Sequence, residues 1–143
     1  MAMKKFNELT ETKKITVQNT LKSVLEKHPD ICFAYLHGSF VKREDFNDID
    51  VALYLVSRPA APLEYELSLE AEFMDVVRKY PVDVRVLNTA PLSFRYNVIK
   101  EGVLLIVNDD EKRTDFQEAT LADYFDFAPY RMLYLKEALG IGV

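Results

Sequence analysis

Between positions 48 and 55 the chain alternates without a break: Ile49, Val51, Leu53 and Leu55 fall on one side, Asp48, Asp50, Ala52 and Tyr54 on the other. Successive side chains of a β-strand project to opposite faces, so this segment is a strand with one wholly apolar face. Such a face has to be covered by a second layer. Three further segments read as partners in the same sheet. Residues 31–36 are apolar throughout and rich in β-favouring and aromatic types. Residues 82–87 alternate, with Val82, Val84 and Val86 opposed to Asp83, Arg85 and Leu87. Residues 103–107 are short and fully apolar.

Helical signals fill the gaps. Val17, Leu21, Val24 and Leu25 recur at i, i+4, i+7 and i+8, the spacing of one helix face, and Pro29 and Asp30 end that helix. After a proline-bearing loop at 58–62, Leu69, Phe73, Met74, Val76, Val77 and Tyr80 form the apolar face of another helix, stopped at Pro81. Pro91 suits the first turn of a third and Gly102 its C-terminal end. Residues 112–139 read as helix interrupted near Pro129. Helices and strands alternate along the whole chain, which predicts an α/β (α+β) fold: a small mixed sheet of about four strands flanked by helices. With no repeat or linker in view, residues 1–143 are expected to form one domain with a C-terminal helical segment.

At 49% hydrophobic and 29% charged residues, the chain has ample material for a core, which excludes intrinsic disorder. Its 23 acidic residues outnumber 18 basic ones, for a net charge of −5. That balance repels a polyphosphate backbone, so general nucleic-acid binding is excluded while a local basic site is not. The single cysteine, Cys32, lies inside an apolar strand and reads as a small buried hydrophobe. Neither a membrane-spanning stretch nor a signal-peptide pattern is found, so the expected location is cytoplasmic.

Two features are costly unless they are used. Asp48 and Asp50 share one face of a strand, with Cβ atoms about 7 Å apart. Carboxylates so placed repel each other, which raises a pKa or calls for a cation. A hard ion such as Mg²⁺, bound through carboxylate oxygen, resolves the conflict. Alone, the Asp-x-Asp pattern also suits a solvent-facing strand. The second feature is Gly38-Ser39 directly after a buried strand. Glycine permits a sharp turn and close approach of a phosphate, and a short helix opening at Ser39 would offer free N–H groups. Lys42 and Arg43, one turn on, could face the distal phosphates. Alone, Gly-Ser is an ordinary turn.

Together, Gly38-Ser39, eight intervening residues and Asp48-x-Asp50 resemble the signature of the nucleotidyltransferase superfamily. Within it the chain is similar to the minimal nucleotidyltransferase (MNT) group, the partner of HEPN proteins in prokaryotic toxin–antitoxin modules. The likeness extends from Tyr35 through Leu53, to Pro81-Val82-Asp83-Val84, to the run from Lys100 to Leu105, and to the segment from Thr120 to Phe127. Three features depart from the family pattern: His37 replaces an aromatic residue, the connection from Phe40 to Asn47 lacks a glycine, and Arg85 stands two residues from Asp83. The resemblance implies a nucleotidyltransferase fold, two Mg²⁺ ions held by Asp48, Asp50 and Asp83, and ATP as donor. Gly38 and Ser39, with Lys42 and Arg43, would hold its phosphates, and Asp83 would orient or deprotonate the attacking hydroxyl.

The resemblance also implies an acceptor: a tyrosine of a HEPN-family ribonuclease toxin, neutralised by added AMP. Aromatic residues crowd the C-terminal segment at Phe116, Tyr124, Phe125, Phe127, Tyr130 and Tyr134, as interface anchors do and as cores also do. Two alternatives stay open. One is a binding antitoxin that only masks its partner; the other is transfer to a small hydroxylated molecule, for which 143 residues leave little room to build an acceptor pocket.

Overall fold

The computed structural model describes residues 7, 8, 10–43 and 45–139. In chain order the elements are β1 (Asn7–Glu8), α1 (Glu11–Leu25), β2 (Ile31–His37), α2 (Ser39–Lys42), β3 (Asp45–Phe46), β4 (Ile49–Leu55), α3 (Pro62–Val76) and β5 (Val82–Val86). A 3₁₀ turn (Leu87–Thr89), α4 (Leu92–Glu101), β6 (Val103–Val107) and α5 (Asp110–Leu139) complete the chain.

Four strands make one mixed sheet in the order β5-β4-β2-β6. Only the β4–β5 pair is parallel; β2 runs antiparallel to both β4 and β6. The central strand β2 is buried on both faces, which is why its sequence is apolar throughout instead of alternating. One face, with Ala34, Leu36, Val51 and Leu53, packs against Leu21 and Leu25 of α1 and Leu69 and Phe73 of α3. The other, with Phe33, Tyr35 and Ala52, packs against Val98 of α4 and Phe116 of α5. Of the alternating strands β5 follows its pattern, with Val82, Val84 and Val86 buried and Asp83 and Arg85 exposed, whereas on the second face of β4 Ala52 is buried as well. Among the described residues no helix is long and apolar enough to cross a membrane.

Several details differ from the expectation. Pro62 begins α3 instead of closing a loop, because its fixed φ and missing N–H suit the first helical position. The buried stripe of α3 is narrower than expected: Leu69, Phe73 and the capping residue Val77 face the sheet, while Met74 and Val76 are exposed. Residues four apart stack on one face, whereas neighbours are turned about 100° away. The helix stops at Val76, whose successor Val77 donates its N–H to Phe73 O at 2.7 Å, well before Pro81. Helix α5 runs through Pro129 without a break; a proline removes one hydrogen bond at a cost of roughly 3 kcal/mol, which a long helix absorbs. Strands β1 and β3 pair antiparallel as a small ladder that no sequence pattern announced. Of the C-terminal aromatics, Phe116 is core, Tyr124 stacks on Tyr96 with ring centroids 3.6 Å apart, and Phe125 is 60% exposed. The side chains of Phe127, Tyr130 and Tyr134 lie outside the described residues.

Candidate active site

The sheet register brings three of the sequence-selected positions into one row. His37 at the end of β2 lies opposite Asp50 near the start of β4, and Asp50 lies beside Asp83 of β5. Asp48 stands just before β4 and is exposed. Because β4 and β5 are parallel and enter from the same end, their first carboxylates share that end of the sheet. Both project from the face covered by α4 and α5, since Asp50 is two residues from Ala52, which lies in that core.

Asp50 is the electrostatic centre of the group. Its carboxyl is half-buried and pushed up to about 6, first by lost solvation, then by the charges of Asp83 and Asp48, with Arg85 opposing. Arg85 also lies over the ring of Phe94 on α4, 5.8 Å from the guanidinium carbon to the centroid. His37 packs edge-on against the same ring at 5.4 Å. Burial pushes the His37 imidazole down, and its Nε2 has no hydrogen-bond partner among the described residues.

The turn after β2 is built against Asp50. Gly38 adopts φ +77°, a left-handed conformation that other residues rarely tolerate. A Cβ on Gly38 would fall 2.1 Å from Asp50 Oδ2. Ser39 then opens the single-turn helix α2, in which Val41 and Lys42 donate backbone N–H groups to Gly38 O at 3.2 and 3.3 Å. Lys42 pairs with Glu101 of α4, and Arg43 is exposed at the end of the turn. Neither cation is packed against the carboxylates.

Residues that sequence reasoning missed hold this arrangement in place. Lys14 of α1 is 7% exposed. Its ammonium donates to Phe40 O at 2.8 Å and to Arg43 O, and lies 5.1 Å from the Phe40 ring centroid. It thereby fastens the far end of the Gly38–Arg43 turn to α1. A signal was present: Lys14 stands three residues before Val17 and seven before Leu21, on the apolar stripe of its helix. Glu70 and Glu66 of α3 accept the N–H groups of Val84 and Val86 at 2.8 Å each, completing the open edge of β5. The Glu70 carboxyl is pushed up, chiefly by burial and also by its neighbour Asp83.

Among the described residues no three His, Cys, Asp or Glu side chains form a ready-made cage for an ion. Mg²⁺ is ordinarily bound through one or two carboxylates plus substrate phosphates, not by an all-protein cage. The donor chemistry fits that ion: hard carboxylate oxygens, with Asp50 carrying negative charge that its surroundings do not neutralise.

The model of the family described as "Polymerase beta, Nucleotidyltransferase" matches residues 19–111, which include every one of these turn and carboxylate positions. No curated protein sequence matches the chain. Among solved structures, the chain resembles one from the complex of tri-AMPylated Shewanella oneidensis HEPN toxin with MNT antitoxin. There the identity is 18% and the TM-score 0.70, over 88% of this chain and 98% of that one. A chain of the MntA–HepT toxin–antitoxin crystal structure gives 17% identity and a TM-score of 0.69, over 87% and 98%. A chain of a toxin–antitoxin crystal structure with AMP-PNP gives 18% and 0.71, over 85% and 98%. At these identities the likeness is one of fold.

Proposed function

The chain belongs to the polymerase beta nucleotidyltransferase family, and from that premise we propose that it transfers AMP from ATP, with Mg²⁺, to a tyrosine of a HEPN-family toxin and so acts as its antitoxin. The observation that carries this reading is the Gly38–Asp50 contact with Asp83 and Asp48 alongside: a side-chain-free turn pressed against an under-neutralised carboxylate group. Two Mg²⁺ ions, held by Asp48, Asp50 and Asp83, would neutralise charge on the entering and leaving oxygens of an in-line displacement at the α-phosphorus.

The chain's own residues do the rest. The Gly38–Ser39 turn receives the β- and γ-phosphates, since N–H groups of a first helical turn lack partners within the helix. Lys14 keeps that turn from drifting. Asp83, exposed on β5, orients the acceptor hydroxyl and takes its proton. The acceptor's O–P bond forms, the bond to the bridging oxygen breaks, and pyrophosphate leaves. Positioning and charge account for most of the acceleration.

A protein acceptor is supported by α5, whose Phe125, Met132 and Leu133 are exposed, as apolar anchors for a partner would be. The assay is transfer of α-phosphate label from ATP to a HEPN partner, comparing wild type with Asp48→Ala/Asp50→Ala. Label on a partner tyrosine that requires both aspartates supports the proposal. Tight complex formation without label, unchanged in the double variant, would leave a masking antitoxin in its place.

A further inference from the structure

At the end of the sheet opposite the carboxylates, β4, α4 and α5 line a half-open cavity of about 290 Å³. This is close to the lower limit of small-molecule sites, which run from about 300 to 1,000 Å³. Two polar atoms on its lining residues are buried and unpartnered among the described residues, Arg95 Nε and Thr120 Oγ1. Thr120 is 0% exposed. Buried polar groups are nearly always paired, by protein or by ordered water, so each orphan marks a group that a water or a ligand would complete.

The chemistry of the lining is specific. Arg95 can only donate, and the Thr120 hydroxyl donates or accepts. Lys112 adds a second cation and Asp115 one carboxylate, so positive charge prevails. Tyr54 and Phe116, with ring centroids 5.2 Å apart, supply an aromatic wall. Asn88 also borders the cavity, but its amide is already engaged with Leu55 N–H and C=O at 2.8 and 3.0 Å. Donors and net positive charge beside an aromatic wall select an oxyanion carried on a flat apolar body. We propose that this cavity binds a small organic anion, with a phosphate or carboxylate group at Arg95, Lys112 and Thr120 and a ring against Tyr54 and Phe116. The site is separate from the carboxylate group: Tyr54 and Asp50 are four residues apart along β4, about 13 Å at strand rise. It does not depend on the transferase reading.

The test is calorimetric titration of the full chain with phenyl phosphate and with benzoate. Saturable binding of either supports the site, and which of the two binds more tightly identifies the anion class. Arg95→Gln and the exposed Lys112→Gln are each expected to weaken binding about tenfold, with Thr120→Val acting in the same direction. Asp48→Ala/Asp50→Ala should leave it unchanged. Binding of neither probe, the result for a cavity filled only by water, overturns the proposal. So does binding that ignores Arg95→Gln and Lys112→Gln, or that disappears in the double aspartate variant.

Discussion

The Asp50 carboxylate occupies the space that a side chain at Gly38 would need: a Cβ there would stand 2.1 Å from Asp50 Oδ2. The turn and the carboxylate are therefore one unit, joined by β2–β4 pairing that sets His37 opposite Asp50.

Gly38→Ala should be damaging for two reasons that can be separated. The backbone at φ +77°, ψ −158° is essentially restricted to glycine and costs about 1–3 kcal/mol for another residue, and the new methyl group displaces Asp50. Transfer activity is expected to fall roughly a hundredfold, the scale of a 1 Å misplacement. In a double-mutant cycle read by urea unfolding, Gly38→Ala/Asp50→Ala should recover part of the stability lost by Gly38→Ala alone. Strict additivity would show that the two residues do not clash.

Asp50 makes stability depend on pH in a defined direction. Its carboxyl is raised from 3.8 to about 6, so between those values the folded protein holds a proton that the unfolded chain has released. Stability then falls as pH rises through that window, and the penalty is fully present above it. Asp50→Asn is expected to raise Tm at pH 8 in metal-free buffer, to change little at pH 4, and to abolish transfer. Added Mg²⁺ should raise the wild-type Tm at pH 8 and not that of Asp50→Asn. Thermal melts across pH, with and without Mg²⁺, check all of these outcomes.

Lys14 offers a test that joins stability to the proposed nucleotide site. Lys14→Met removes a buried charged donor from Phe40 O and Arg43 O, and hydrogen bonds of that kind contribute about 1.5–3 kcal/mol. Unfolding should shift by that order, with the m-value unchanged. In the folded variant KM for ATP should rise more than kcat falls, because the turn is proposed to hold phosphates and to perform no chemistry. Unchanged KM would count against a positioning role.

The edge of β5 provides a readout by hydrogen exchange. Glu70→Ala and Glu66→Ala each remove the acceptor of one strand N–H, from Val84 and Val86 respectively. Each amide should lose protection in its own variant and keep it in the other, with a stability loss of about 1–3 kcal/mol each. Glu70→Gln, which retains an acceptor oxygen, should restore most of the Val84 protection.

The legible part of this protein was what local pattern controls. Strict alternation in β4 and β5 set which side chains face the core, so Asp50 and Asp83 could be assigned to the polar faces of their strands. The apolar run of β2 marked it as a buried strand, and Gly38-Ser39 after it marked a turn. Pattern failed where the outcome depended on neighbours far along the chain. Met74 and Val76 are apolar yet exposed, because only docking against the sheet determines how wide a stripe of α3 is used. Pro129 looked like a break, yet α5 continues through it.

By itself, then, the sequence determined the alternation of helices and strands, the polar faces of β4 and β5, and the chemical types gathered near the turn. Only the tertiary structure decided that β4 and β5 lie parallel with Asp50 beside Asp83, that Asp50 presses against Gly38, and that Lys14 reaches the turn from α1. The reason is physical. Periodicity and propensity act over a few residues, whereas strand register, desolvation and the pairing of buried charges are properties of groups brought together from 12 to 33 positions apart.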